Sequence, residues 1–273
     1  MKRFLIIILT AAVFISVPFL TSFLLGQADT KEYITVNDAG KTLRIKRGDF
    51  LLSAVLSVAD EDFEDETLKA LSTVFSTLIS YGEIDADSER GVLLIDTKSV
   101  SDELRNRASA AIEAAGENVI LYDGKPIYSV YHKSSGGNTL ESESVFGIDY
   151  PYLCSVSSDE TKGEQIFSKS DLKERLGLSS PFSITRLNDD SSVGLVLAGD
   201  ISFTGAEFRE KIGIMGSVFS LLEDEENLYV SYKGEGHGVG LSLMGADKMA
   251  KEGKTAEEIL TYYYQNAEIA KIL

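Results

Sequence analysis

The stretch from Gly234 to Ala246, GEGHGVGLSLMGA, contributes most to the fold assignment of this sequence. Four of its glycines alternate around His237, which implies a crowded backbone with dihedral angles that other residues rarely adopt. Glycine also lets a chain approach another surface closely, such as a sugar, and the histidine can then exchange a hydrogen bond in a cleft. The pattern lacks the lysine of a phosphate-binding loop. From these residues alone, a binding cleft and a tight turn around an internally bonded histidine both remain open.

A second cluster, YHKSSGGNT from Tyr131 to Thr139, contains the other histidine, His132, in a loop rich in hydroxyl groups. An ordinary polar hairpin loop and a substrate-binding loop are both compatible with it. A Ser–His nucleophile pair is conceivable, but no nucleophile-elbow pattern supports one.

Helical and strand patterns are intermixed along the chain. Apolar residues recur at helical spacing from Asp65 to Ser80, and a second helix is predicted from Asp102 to Ala115. Strand-like pieces follow at Val119 to Tyr122 and at Ile127 to Tyr131. Because strands and helices alternate without a regular βαβ rhythm, the predicted fold class is α+β, with mixed sheets and helices in one domain.

Composition excludes several classes of function. The formal net charge is −17, with 43 acidic and 26 basic residues, so the chain is a poor candidate for nucleic-acid binding. Cys154 is the single cysteine and there are two histidines, which excludes an intramolecular disulfide and a cysteine-based zinc site. No metal and no cofactor are therefore expected.

The N-terminus carries an uncharged apolar run of 22 residues from Phe4 to Leu25, after Lys2 and Arg3. As a helix this run spans about 33 Å, close to the thickness of a bilayer core. The sequence predicts an uncleaved anchor over residues 1–26 and an extracytoplasmic domain over residues 27–273, in a single-pass protein of the cell membrane. A long cleaved signal peptide is the alternative.

In this order, the motifs resemble those of the stage II sporulation protein D family. That family carries a His-x-x-Ser-Gly-Gly-x-Thr loop, a Pro-Tyr-Leu-x-Ser-Val-Ser-Ser element and a Gly-His-Gly-Val-Gly-Met-Ser-Gln-x-Gly-Ala stretch. The matching residues are His132, Ser135-Gly136-Gly137, Thr139, Val145-Phe146-Gly147, Pro151 to Ser158, Thr204-Gly205, Phe208-Arg209, Ile212-Gly213, Gly236 to Ala246, Met249-Ala250, Gly253-Lys254, Glu258 to Leu260 and Tyr262-Tyr263. The resemblance covers roughly residues 33–270.

The resemblance implies a lytic transglycosylase acting on peptidoglycan glycan strands in sporulation or cell-wall remodelling. The implied substrate is glycan already stripped of its stem peptides by a partner amidase. A membrane partner of the engulfment machinery and a location between forespore and mother cell are implied as well. The substrate-binding residues expected from the two loops are His132, Ser134, Ser135, Gly136, His237, Gly238, Gly240 and Ser242.

The sequence departs from the family where the catalytic acid belongs. Counting back five residues from Phe63 places Val58 at the position of the family's glutamate. Glu61 and Asp60 are the candidate replacement acids, and Glu235 beside His237 is another. The alternative is a catalytically inactive protein of the same fold that binds glycan or serves as a scaffold.

Overall fold

The computed structural model describes residues 32–38, 41–82 and 94–271. Within these residues the α-helices are α1 (Arg47–Val58), α2 (Asp65–Tyr81), α3 (Asp102–Ala115), α4 (Ser142–Phe146), α5 (Lys169–Leu176), α6 (Gly205–Ile212), α7 (Leu243–Lys251) and α8 (Ala256–Tyr263), with a 3-10 helix at Thr97–Ser99. The strands are β1 (Tyr33–Asp38), β2 (Lys41–Lys46), β3 (Asn118–Tyr122), β4 (Lys125–Pro126), β5 (Tyr131–His132), β6 (Gly136–Asn138), β7 (Ser157–Glu160), β8 (Lys162–Ser168), β9 (Phe182–Leu187), β10 (Val193–Ala198), β11 (Ile201–Thr204), β12 (Val218–Glu223), β13 (Asn227–Lys233), β14 (Leu241–Ser242) and β15 (Glu268–Lys271).

These elements form several small sheets of two or three strands among the helices. The α+β prediction is therefore confirmed for the part of the chain that the structure describes. The predicted boundary between residues 26 and 27 lies outside the described residues.

Helix α2 shows how the sequence specifies its elements. Leu68, Leu71 and Phe75 recur at helical spacing and are fully buried. Asp65 lies in the first turn, where a carboxylate is favoured by the helix dipole. Gly82 ends the helix with a left-handed φ of 97°, as C-terminal glycines commonly do. The predicted helix is confirmed, one residue longer than expected.

The strand predicted from Ile127 to Tyr131 is wrong except at Tyr131, because residues 127–130 lie in no strand. The backbone N–H of Tyr128 donates to the Tyr152 hydroxyl at 3.0 Å, and the Ser129 hydroxyl donates to the Val74 carbonyl of α2 at 2.9 Å. These contacts replace regular strand pairing between β4 and β5. An alternating pattern cannot distinguish a strand from an extended segment held by a helix and a side chain.

The described residues contain two hydrophobic cores. The first is built by α1, α2, α3, β3, α7 and α8, with buried residues between Ile34 and Leu153 and again between Val239 and Tyr264. The second contains buried residues from Leu172 to Val230, on α5, α6 and strands β9, β10, β12 and β13. The chain thus leaves the first core, builds the second and returns, which brings the segments near residues 134 and 235 together.

Two strand pairs place the predicted loops side by side. Strand β14 runs parallel to β5, with Leu241 opposite Tyr131 and Ser242 opposite His132. Strand β6 pairs with β7, which places Gly136 opposite Glu160. The two histidine loops, separated by about a hundred residues in sequence, are therefore neighbours in the fold.

The prediction of a single-pass membrane protein is not supported. Among the residues that the structure describes, no helix combines the length and the apolar character needed to cross a bilayer. The apolar run from Phe4 to Leu25, on which the prediction rested, lies outside the described residues.

Candidate functional site

His132 uses both nitrogens of its ring, one to bind the second loop and the other to bind its own loop. Its Nδ1 lies 3.1 Å from the Val239 carbonyl oxygen, and its Nε2 lies 2.9 Å from the Ser135 hydroxyl. A carbonyl oxygen only accepts, so Nδ1 carries the proton and the Ser135 hydroxyl donates to Nε2 when the ring is neutral. With 3% of its surface exposed, His132 lies inside the junction.

Asp159 links the same loops through a carboxylate. The Ser242 hydroxyl donates to its Oδ1 at 2.6 Å, the Ser158 hydroxyl does so at 3.0 Å, and the Ser135 backbone N–H lies 3.1 Å from Oδ2. Ser158 also shares a 2.8 Å hydrogen bond with the Tyr263 hydroxyl of α8. We call His132, Ser135, Asp159 and Ser242 the junction cluster.

His237 lies next to the junction cluster. The Val239 backbone N–H donates to its Nδ1 at 3.1 Å, so the proton of the neutral ring is on Nε2. Its ring centroid is 5.8 Å from that of His132 and 5.3 Å from that of Phe146, which it meets edge to face. The two histidines predicted from the sequence are thus brought into contact.

The glycines of the second loop are required by crowding, as the sequence predicted. Gly240 has a φ of 74°, and a Cβ there would lie 2.3 Å from the Val130 carbonyl oxygen. At Gly238, with a φ of 81°, a Cβ would lie 2.8 Å from a methyl carbon of Leu140. The loop can pass this close to its neighbours only because these positions have no side chain.

The substitution Gly240→Ala is expected to lower the free energy of unfolding by about 3 kcal/mol, since it adds a backbone clash to an unfavourable left-handed φ. Gly213→Ala is the matched control, because Gly213 has a similar left-handed φ of 81° but its Cβ would meet nothing within 4 Å. The control should cost only about 1 kcal/mol. Urea unfolding of both variants measures the difference, and equal losses would refute the role assigned to crowding.

Burial lowers the pKa of His132 from 6.5 to about 4, while its bond to the Val239 carbonyl and the charge of Asp159 act in the opposite direction. The ring is therefore neutral at neutral pH. It serves as a fixed donor and acceptor that holds the two loops together.

The depressed pKa of His132 predicts a loss of stability in acid. Between pH 6.5 and pH 4 the unfolded chain binds a proton at this histidine that the folded chain does not, so stability falls as the pH falls. The loss approaches about 3 kcal/mol at pH 4. His132→Gln removes the effect, so the gap in unfolding free energy between wild type and variant should narrow by that amount from pH 7 to pH 4. A gap that stays constant over this range would contradict the prediction.

The other predicted binding residues lie around the junction cluster. The Ser134 and Thr161 hydroxyls share a 2.7 Å hydrogen bond. Gly136 packs against Lys233, whose Cβ would lie 2.9 Å from a Cβ placed at this glycine. The backbone N–H of Gly245 donates to the Ser242 hydroxyl at 3.3 Å, which places Ser242 at the start of α7.

The candidate catalytic acids lie outside the junction cluster. Asp60 and Glu61 are exposed in the turn between α1 and α2, and the Glu61 carboxylate accepts from the Ser101 hydroxyl at 3.0 Å. Val58 is half-buried against the first core. Glu235 pairs with Lys133 at 2.6 Å, on the rim of the His132 loop.

The turn that carries these acids is tied to helix α7. Asp247 of α7 is buried, and its carboxylate accepts from the Glu64 backbone N–H at 2.7 Å and from the Thr67 hydroxyl at 3.1 Å. The N-terminal end of α2 is thereby fixed to the helix that follows Ser242.

A cavity of about 270 Å³ lies on another side of α7, next to Asp159. Its lining consists of Ser157, Ser158, Asp159, Gly245, Lys248, Met249, Glu252, Tyr262 and Tyr263. Sequence reasoning missed Asp159, although it directly follows the Pro151 to Ser158 motif. Among the described residues, no group of three or more His, Cys, Asp and Glu side chains has a metal-binding arrangement.

The sequence of this chain is similar to those of several known proteins. The chain is 26% identical, over 270 residues, to stage II sporulation protein D of Bacillus subtilis (strain 168), which covers 88% of this chain and 78% of that protein. It is 25% identical over 269 residues to stage II sporulation protein D of Bacillus amyloliquefaciens, with the same coverage. The amidase enhancer of Bacillus subtilis is 25% identical over 226 residues, 58% of this chain and 32% of that protein. No protein-family model matches the chain.

The fold and the site define an α+β protein whose two histidine loops are joined through a carboxylate. The similarity to stage II sporulation protein D extends over 88% of the chain and supports its assignment to the stage II sporulation protein D family.

Proposed function

We propose that this protein is a lytic transglycosylase of the stage II sporulation protein D type, acting on peptidoglycan glycan strands in sporulation or cell-wall remodelling. The observation that carries the proposal is the junction cluster, which fixes both histidine loops beside one cavity. The names of the relatives, two sporulation proteins and an amidase enhancer, support a cell-wall setting.

The residues around the cluster suit a sugar polymer. The cavity offers the hydroxyl groups of Ser157 and Ser158, two tyrosine rings and the carboxylate of Asp159. Sugars are bound through hydroxyl hydrogen bonds and flat apolar faces, which these groups supply. In this proposal the binding residues are His132, Ser134, Ser135, Gly136, His237, Gly238, Gly240 and Ser242.

Cleavage of a glycosidic bond requires a proton for the leaving oxygen. In a lytic reaction the sugar's own 6-hydroxyl then closes on the anomeric carbon, giving a 1,6-anhydro end. We assign the proton donor to Glu61 or Asp60, because Asp247 fastens their turn to α7, whose residues Lys248 and Met249 line the cavity.

A second candidate function is glycan binding without cleavage. Val58 occupies the position where the family resemblance places a glutamate, and Glu61 is bonded to Ser101 rather than to either histidine loop. In this alternative the junction cluster keeps its binding role, and the protein holds glycan or partners in place. An amidase that removes stem peptides is the partner proposed for either function.

The two functions are separated by incubating the full-length protein with peptide-free glycan strands and searching for 1,6-anhydro ends by mass spectrometry. Accumulation of such ends supports the transglycosylase. Binding of the strands without new ends supports the binding protein, and absence of both binding and cleavage rejects the family-based proposal.

A further inference from the structure

Strand β8 forms one edge of the three-stranded sheet in which β13 is central and β12 is the other edge. At one end of β8 the Gly234 backbone N–H donates to the Thr161 carbonyl at 3.0 Å, and at the other end the Lys169 N–H donates to the Glu226 carbonyl at 2.9 Å. Hydrogen-bonded pairs alternate along an antiparallel ladder. The odd-numbered residues of β8 therefore direct their backbone groups at β13, and the even-numbered residues direct theirs away from the sheet.

The outward backbone groups of β8 are open to another strand. They belong to Lys162, Glu164 and Ile166, and no hydrogen bond to them exists within the part of the chain that the structure describes. The side chains of all three residues are exposed. Gln165 holds the strand in place, since its side-chain oxygen accepts from the Met215 backbone N–H at 2.9 Å. Strand β8 is thus an ordered edge of the kind that pairs with a further strand.

The charges along this edge indicate which strand fits it. Lys162 and Glu164 flank Gly163 and lie on the same face of the sheet. If two β8 strands pair antiparallel about a two-fold axis at Gly163, each Lys162 lies opposite the Glu164 of the other copy, which is a stabilising pair. Glu164 has no side-chain partner among the described residues. Lys162 shares the Glu160 carboxylate with Lys233, at 3.0 Å and 3.2 Å, so its ammonium group can also contact a second carboxylate.

The other registers that match outward residues with outward residues are less favourable. An axis at Glu164 places the Glu164 carboxylates of the two copies opposite each other, and like charges in that position are destabilising. An axis at Gln165 places each Glu164 opposite Ile166, which offers a carboxylate no partner. An axis at Ile166 places Lys162 opposite α5 of the other copy rather than opposite a strand. The axis at Gly163 is therefore the register that the charges favour.

The residue at this axis leaves room for a neighbouring backbone. A Cβ at Gly163 would lie 2.3 Å from the Tyr232 hydroxyl oxygen, so the Tyr232 ring lies across the strand at this point. The Tyr232 hydroxyl donates to the Met215 Sδ at 3.1 Å, which fixes the ring there. A glycine inside a strand often marks a place where another backbone approaches closely.

We propose that a second copy of this chain binds at the β8 edge, paired antiparallel about Gly163, so that two three-stranded sheets become one sheet of six strands. Lys162 and Glu164 of each copy exchange backbone hydrogen bonds and ion pairs with Glu164 and Lys162 of the other. The paired segment is short, so the dimer is weak and depends on concentration. Its formation is independent of whether the protein cleaves glycan.

Sedimentation equilibrium of the full-length protein over a range of concentrations measures the dimer. Lys162→Glu places carboxylates opposite one another, and Glu164→Lys does the same with ammonium groups, so each variant alone should dimerise about tenfold more weakly than wild type. An equimolar mixture of the two variants should form a heterodimer about as tightly as wild type, because every carboxylate again faces an ammonium group. Lys173→Glu, at an exposed lysine of α5 with no described side-chain partner, makes the same change in net charge as Lys162→Glu and should leave dimerisation unchanged.

Four results would reject this dimer. A wild-type protein that stays monomeric up to about 1 mM has no such pairing and leaves the edge to a strand of another protein. Association that both charge variants retain occurs through a different surface. If the mixture of variants does not recover dimerisation, Lys162 and Glu164 do not face each other across the axis. Weakening by Lys173→Glu equal to that by Lys162→Glu would assign the effect to net charge alone.

Discussion

The substitution Asp159→Ala is expected to lower the free energy of unfolding by about 4 kcal/mol and to weaken glycan binding roughly 100-fold. The Asp159 carboxylate receives hydrogen bonds from Ser242, Ser158 and the Ser135 backbone, which belong to three separate segments. Removing it leaves three donors without their acceptor inside the junction, and each such donor costs about 1–3 kcal/mol. The two histidine loops, which bind the glycan in the proposed function, then lose their common support.

The stability of Asp159→Ala is measured by urea unfolding and its affinity by equilibrium binding of peptide-free glycan strands. Asp189→Ala is the control, because Asp189 is exposed and has no described hydrogen bond. Asp159→Asn keeps the shape but replaces one acceptor oxygen by a donor, so it should fall between wild type and alanine. If Asp159→Ala binds glycan as well as Asp189→Ala does, the carboxylate is not the support of this site.

The two histidine loops could be predicted from the sequence because the residues that shape them are close together in the chain. A glycine at every second position from Gly234 to Gly240 signals positive φ angles and close backbone contacts, and both occur. The order of the motifs then indicated which loops belong together. The parallel pairing of β14 with β5, which makes them neighbours, could not be read from spacing, because such a pair depends on the whole intervening chain.

The role of Asp159 could not be predicted from the sequence either, because it also depends on a contact between distant parts of the chain. An aspartate after two serines is typical of an exposed turn, and no periodicity distinguishes it. Its function depends on Ser242, which is 83 residues further along the chain and reaches it only when α7 packs beside β7. The second hydrophobic core was missed as well, since alternation along β8 to β13 predicts strands but not which core they build.

The substitution Glu61→Gln is expected to lower the rate of formation of 1,6-anhydro ends about 100-fold while leaving glycan affinity unchanged, if Glu61 is the proton donor. A general acid contributes about 10²–10⁴-fold to such a reaction, and the amide cannot donate a proton in the same way. The contact with Ser101 is exposed and can be exchanged for a substrate oxygen at little cost. The rate of 1,6-anhydro end formation is measured by mass spectrometry, and the glycan affinity is measured by equilibrium binding. Comparing the two distinguishes an effect on catalysis from an effect on substrate binding.

Two further variants make this experiment decisive. Asp60→Asn tests the neighbouring carboxylate, which is exposed in the same turn. Loss of rate in this variant alone would identify Asp60 as the proton donor.

Val58→Glu returns a carboxylate to the position that the family resemblance assigns to the acid. One informative result is that the wild-type protein binds strands without cleaving them while Val58→Glu gains cleavage. That result would identify the wild-type protein as a glycan-binding protein that lacks only the catalytic carboxylate at the end of α1. If neither amide variant lowers the rate of an active wild-type protein, the donor is not in this turn, and Glu235 beside His237 is the next residue to replace.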